Sequence, residues 1–122
     1  PDHDAPGNFY PTTLITDIDP HHELVLTEQF GPALPIMRYS DLDEAVRLAN
    51  ELEVGLGASV WSSDRERARE VALRLEAGSV WVNTHGLLEP RLPFGGTKQS
   101  GYGQEFGVEG LKAVSVPVVL SS

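Results

Sequence analysis

Three short segments of this sequence place chemically capable side chains at suggestive spacings. In Glu28-Gln29-Phe30-Gly31-Pro32 a carboxylate stands two residues before an aromatic ring, ahead of a proline-set turn. A carboxylate can accept from more than one hydroxyl, and an aromatic ring offers an apolar face. The second segment, Val80-Trp81-Val82-Asn83, is a short apolar run closed by an amide. The third is the glycine-rich stretch Pro93-Phe94-Gly95-Gly96-Thr97-Lys98-Gln99-Ser100-Gly101-Tyr102-Gly103. Each also has an ordinary reading. Glu28 and Phe30 would be a loop acid and a core ring, and Asn83 would satisfy loop backbone groups. Leu88 and Phe94 would be packing residues, because an apolar pocket wall and a core differ little in sequence.

Other chemistries find less support. With no cysteine, the chain holds no disulfide, no thiolate metal site and no cysteine nucleophile of its own. His21-His22-Glu23 lacks zinc-protease spacing, and four scattered histidines point to no metal site. His85, near Asn83, is tempting as a base. No Gly-x-Ser-x-Gly elbow is present. Gly95-Gly96-Thr97-Lys98 lacks phosphate-loop spacing, and Phe106 stands where Gly101-x-Gly103 would need its third glycine.

The formal net charge of −9, from 18 acidic and 9 basic residues, offers no basic stripe for nucleic acid. Apolar runs such as Val114–Leu120 fall far short of the roughly 20 residues that cross a bilayer. The N-terminal residues do not read as a signal peptide, so a soluble, cytoplasmic protein without membrane contact is expected. Hydrophobic residues at 40% and charged residues at 22% describe a globular chain with one core over 1–122.

Elements must position these groups. The polar start, Pro1–Asn8, predicts a loose or edge-lying entry, and Phe9–Ile18 reads as extended. Glu23–Phe30 is ambiguous between a short strand and a loop, and Ile36–Tyr39 predicts a strand after Pro32 and Pro35. A helix is expected from Ser40 or Asp41, capped by Ser40. Its inner stripe is Leu42, Ala45, Val46, Ala49 and Leu52, with Leu48 on the flank. Gly55 is expected to stop it in a left-handed cap.

Ala58–Trp61 then predicts a strand buried on both faces. A second helix follows, capped by Ser63 in capping-box spacing with Glu66. Ala68, Val71, Ala72 and Leu75 face inward, and Gly78 ends it. Ser79–Asn83 predicts another strand, and both Trp61 and Trp81 read as core. The middle of the chain is thus β-α-β-α-β, an α/β arrangement with a parallel, helix-covered sheet. Thr84–Gly103 is a long aperiodic loop of the kind that usually carries function. Gln104–Leu111 predicts a short helix. The residues 113–122, with Val114–Leu120 β-branched and broken by Pro117, predict an edge strand or an element of association.

The three motifs, in this order and with this helix and strand content between them, resemble the closing stretch of the aldehyde dehydrogenase superfamily. The likeness runs from about Gly7 to about Leu111. It implies a partial catalytic domain, with Glu28 gripping the nicotinamide ribose of NAD or NADP and Phe30 against the nicotinamide. It places Asn83 beneath the substrate tunnel, with Leu88 and Phe94 as walls of the aldehyde pocket, and gives the glycine loop a structural part. Thr27 and Gln29 depart from the acid and aliphatic that flank this glutamate in many members.

The resemblance implies oxidation of an aldehyde to a carboxylic acid by a cysteine thiolate, with hydride passing to NAD(P)+ and a glutamate activating water. The nucleophile and base are expected upstream, in another part of the same enzyme, so no catalytic residue is assigned here. The isolated chain is expected to be inactive, and a homo-oligomeric parent is expected. The alternative is a self-standing, non-catalytic module of that fold that binds or scaffolds a partner.

Overall fold

The structure is a computed structural model that describes residues 6–122. Most of the expected loose start therefore lies outside the described residues. The chain divides into two compact units, Pro1–Leu48 and Ala49–Ser122.

In the first unit, β1 (Thr13–Ile15) pairs in parallel with β2 (Ala33–Pro35). The strand expected at Ile36–Tyr39 is thus displaced upstream. The ladder explains how a proline sits inside it. The Thr13 N–H donates to Pro32 O and the Ile36 N–H to Ile15 O, each at 2.8 Å. Alternation then turns the nitrogen of Pro35 away from β1, where a missing donor removes no ladder bond. Between these strands the ambiguous segment forms a one-turn helix, α1 (Glu23–Leu26), capped by His22 Nδ1 accepting from the Leu24 N–H at 3.1 Å.

Helix α2 (Leu42–Asn50) begins in this unit and buries Val46. Leu42, Ala45 and Leu48 are half-buried, whereas Ala49, expected on the inner stripe, is exposed. The cap is Asp41 rather than Ser40. Asp41 Oδ1 accepts from the Glu44 N–H at 2.9 Å, and Glu44 Oε2 accepts from both the N–H and hydroxyl of Ser40 at 2.7 Å. A charged carboxylate at the positive end of the helix outcompetes a hydroxyl. Those Ser40 bonds, the backbone one foremost, hold the Glu44 carboxyl below its ordinary pKa.

The second unit contains β3 (Val54–Gly55), β4 (Gly57–Val60), α3 (Arg65–Ala72), β5 (Ser79–Val82), β6 (Thr97–Lys98) and α4 (Gly107–Ala113). Strands β4 and β5 run parallel, with Ser59 opposite Trp81, and α3 packs on both. This is the expected β-α-β unit, with Ala68 of α3 buried against it. Its strands are not buried on both faces: β4 and β5 are largely half-buried, and Trp61, expected in the core, is 66% exposed.

Asp64, not Ser63, caps α3, its Oδ1 accepting from the Arg67 N–H at 3.0 Å. The helix ends at Ala72, earlier than expected, and winds down through tighter turns, Val71 O to the Arg74 N–H and Ala72 O to the Leu75 N–H. Gly55 is no left-handed cap. It is a buried residue of β3 in an antiparallel pair with β6, which periodicity did not foretell. Helix α4 starts three residues later than expected. Residues 114–120 form no strand, because no neighbouring segment among the described residues supplies a ladder.

Candidate functional site

Glu28 and Phe30 follow α1 in the first unit. The Thr27 cap turns the chain out of the helix into extended backbone (φ −104°, ψ 120°), and its N–H still donates to Glu23 O. Gln29 Nε2 then returns to Thr27 O at 3.0 Å, which steadies the segment between them. Glu28 is exposed, and its carboxylate has no hydrogen-bond or ion-pair partner among the described residues. The Phe30 ring is 99% exposed, and Gly31 beside it has open space where a Cβ would project. Phe30 is accordingly not the core ring of the ordinary reading.

Asn83, Leu88 and Phe94 lie in the second unit, on one excursion from the end of β5. Asn83 sits in the left-handed region at φ 55°, a conformation asparagine tolerates better than most residues. Each end of its amide makes one local bond. Oδ1 accepts from the Ser62 N–H and Nδ2 donates to Ser62 O, both at 2.8 Å. With the Asn83 N–H bonded to Val60 O at 2.9 Å, the residue ties the exits of β4 and β5 together. Its side chain thus performs the backbone-satisfying task that sequence alone left level with the pocket role.

Beyond Asn83 the loop folds back over the sheet. The Trp81 ring covers Gly57, where a Cβ would come within 2.7 Å of it, and its Nε1 donates to Leu87 O at 2.8 Å. His85 stands edge-on to Trp81 with centroids 5.2 Å apart, and its Nδ1 is 3.1 Å from Ser59 Oγ. Leu88 is 44% exposed. Arg91 closes a salt bridge to Glu89 at 2.8 Å, which lowers the Glu89 pKa and raises that of Arg91. Phe94 is half-buried and exchanges both backbone hydrogen bonds with Glu105, each 2.8 Å.

Past Phe94 the glycine-rich stretch is pinned rather than open. A Cβ on Gly78 would overlap Gly95 O, and one on Gly55 would overlap Glu76 O and Thr97 Oγ1. Thr97 Oγ1 donates toward Gly55 O and Glu76 O, and Ser100 Oγ accepts from the Gly55 N–H at 2.8 Å. Lys98 Nζ reaches Asn50 O, Leu52 O and Glu76 Oε2. Sequence reasoning gave Lys98, Thr97 and Asn50 no role. Among the described residues no group of three or more His, Cys, Asp or Glu could hold a metal, and no helix is long and apolar enough to cross a membrane.

Comparison with known proteins bears on the family and the fold. The model described as Aldehyde dehydrogenase family matches residues 1–118. Aldehyde dehydrogenase LUC3 of Fusarium sp is 46% identical over 110 residues, covering 90% of this chain and 24% of that protein. A probable NADP(+) succinate-semialdehyde dehydrogenase of Synechocystis is 43% identical over 108 residues, 88% of this chain and 24% of its own length.

Among solved structures, betaine aldehyde dehydrogenase of Staphylococcus aureus bound to NAD+ superposes with a TM-score of 0.83 at 40% identity, over 86% of this chain and 21% of that one. Aldehyde Dehydrogenase C of Pseudomonas syringae, a cysteine-to-alanine mutant holding NAD+ and octanal, gives 0.76 at 42%, over 81% and 20%. The chain therefore spans about a quarter of the length of the curated relatives it matches. With its parallel β4–α3–β5 unit, its three ordered motifs and this likeness along nearly its whole length, the chain belongs to the aldehyde dehydrogenase family.

Proposed function

We propose that this sequence is a C-terminal part of an NAD(P)-dependent aldehyde dehydrogenase, contributing a cofactor clamp and the walls of an aldehyde pocket. The observation that carries the reading is the uncommitted Glu28 carboxylate two residues from the uncovered Phe30 ring, at the motif the family uses for its cofactor. Glu28 accepts from the two ribose hydroxyls, and charge assistance makes those bonds strong. Phe30 lies against the nicotinamide face. NAD(P)+, when bound, supplies the hydride acceptor.

Leu88 and Phe94 border the aldehyde, and Asn83 contributes chiefly by holding the base of their loop against Ser62. The nucleophilic cysteine and the base that activates water belong to residues outside this sequence, which contains no cysteine. The assembled enzyme is soluble, cytoplasmic and homo-oligomeric in this reading.

The test is the whole protein carrying this segment, assayed for aldehyde-dependent NAD(P)H formation. Turnover is expected, with Glu28→Gln raising the KM for the cofactor far more than that for the aldehyde. A whole protein that forms no NAD(P)H with any of a panel of aliphatic and aromatic aldehydes overturns the reading in favour of a binding or scaffolding module.

A further inference from the structure

We propose that Lys98 is a positioning residue for the aldehyde pocket, fixing the loop that carries Leu88 and Phe94 and thereby setting aldehyde affinity. The inference rests on the pocket reading above. An ammonium has three donors, and Lys98 presents its own to three acceptors: Asn50 O at 2.6 Å, Leu52 O at 3.0 Å and Glu76 Oε2 at 2.9 Å. The first two are carbonyls at the end of α2, where a cation also meets the negative end of the helix dipole. The third follows α3, and Asn50 strengthens that link by donating to Arg74 O and accepting from the Glu76 N–H. One side chain thus joins the turns that lead into β3 and β5.

The backbone of Lys98 reports how firmly this is imposed. It lies at φ 53°, a left-handed conformation that a long side chain rarely adopts unless its surroundings over-determine it. The pocket loop is therefore held at two ends. Asn83 grips Ser62 at one, and the segment around Lys98 is stapled to the sheet at the other. Phe94 stands four residues before Lys98 in the chain. Close approach of Gly95 O to Gly78 makes the path between them intolerant of slack. Loosening the staple shifts Phe94 without touching the reacting atoms, so the aldehyde loses affinity while the chemical step survives.

The experiment compares the whole enzyme with its Lys98→Met and Lys98→Arg variants, using propanal and octanal as probes. Lys98→Met is expected to raise the aldehyde KM about tenfold, well inside the about hundredfold effect of an ångström-scale misplacement. The kcat and the cofactor KM should stay within about twofold, and Lys98→Arg should restore most of the loss. An unchanged aldehyde KM, or an arginine variant no better than methionine, overturns the proposal. So does a fall in kcat alone, which is the mark of a smaller folded fraction.

Hydrogen exchange supplies a readout independent of turnover. Lys98→Met should speed exchange across 84–96 and leave β4 and β5 unchanged, and uniform protection would refute the staple. If the whole protein oxidises no aldehyde, the pocket reading fails, while exchange still decides the grip. Should Lys98→Met not fold, Glu76→Gln, which removes one of the three contacts, is expected to give a smaller KM rise in the same direction. No rise would count against the proposal.

Discussion

Asn83 shows how one residue can be both conformational and adhesive. Its φ of 55° is open to glycine without penalty and unfavourable for alanine, whereas its two amide bonds to Ser62 are open to neither. Asn83→Gly should therefore lose only the hydrogen bonds, and Asn83→Ala should lose about 1–2 kcal/mol more. Thermal midpoints of the two variants in the whole protein decide the point, and equal midpoints would show that backbone strain contributes nothing.

A second expectation concerns Glu44, whose pKa the Ser40 bonds depress from its ordinary 4.5. A carboxylate with a lower pKa in the folded state stabilises the fold above that ordinary value, and the benefit fades as pH falls through the folded value. Compared with Glu44→Gln, the native residue should confer an advantage at neutral pH that shrinks on acidification below 4.5. A gap constant with pH would refute the linkage. Glu28 and Phe30 could be proposed from sequence because the whole motif sits within five consecutive residues. Lys98 was not, since two of its acceptors lie 46 and 48 residues away, and such a meeting follows from the fold alone.

At the scale of elements, the two longer helices were legible from their apolar stripes, but their caps were not. At both starts an acid won over the serine before it, Asp41 over Ser40 and Asp64 over Ser63. An ionised carboxylate gains from the helix dipole as well as from the hydrogen bond. Asp64→Ala should accordingly cost about 1 kcal/mol in a denaturant titration, and Ser63→Ala only a few tenths. The reverse order would restore serine as the cap.

Strands β3 and β6, two residues each, were invisible because no period of two can be read from a pair of residues. What specifies them is the missing Cβ of Gly55, which lets Glu76 and Thr97 close on it. The stretch 114–120 finds no partner strand among the described residues. Its composition is that of a strand, but composition cannot provide the neighbouring ladder that makes one.

At the scale of the whole molecule, the question is what this sequence can hold together by itself. Among its described hydrophobic residues only Val46 and Ala68 are buried, whereas a chain of this length ordinarily buries a real core. Phe30, Trp61 and the side chains of Val119 and Leu120 stand mostly in solvent. That much uncovered apolar surface, with unpaired strand edges on short two-stranded sheets, favours association over a dispersed monomer.

The isolated 122-residue chain should therefore self-associate at micromolar concentration and bind a hydrophobic dye, as measured by light scattering and fluorescence. It should also form no NAD(P)H from any aldehyde, because no thiol is present to attack the carbonyl. The two expectations fail separately. A monodisperse monomer would mean that the surface is satisfied in a way the exposed residues do not indicate. Turnover by the pure chain would mean that one of its own side chains replaces the thiol, and Ser59, 3.1 Å from His85 Nδ1, would be the first to mutate.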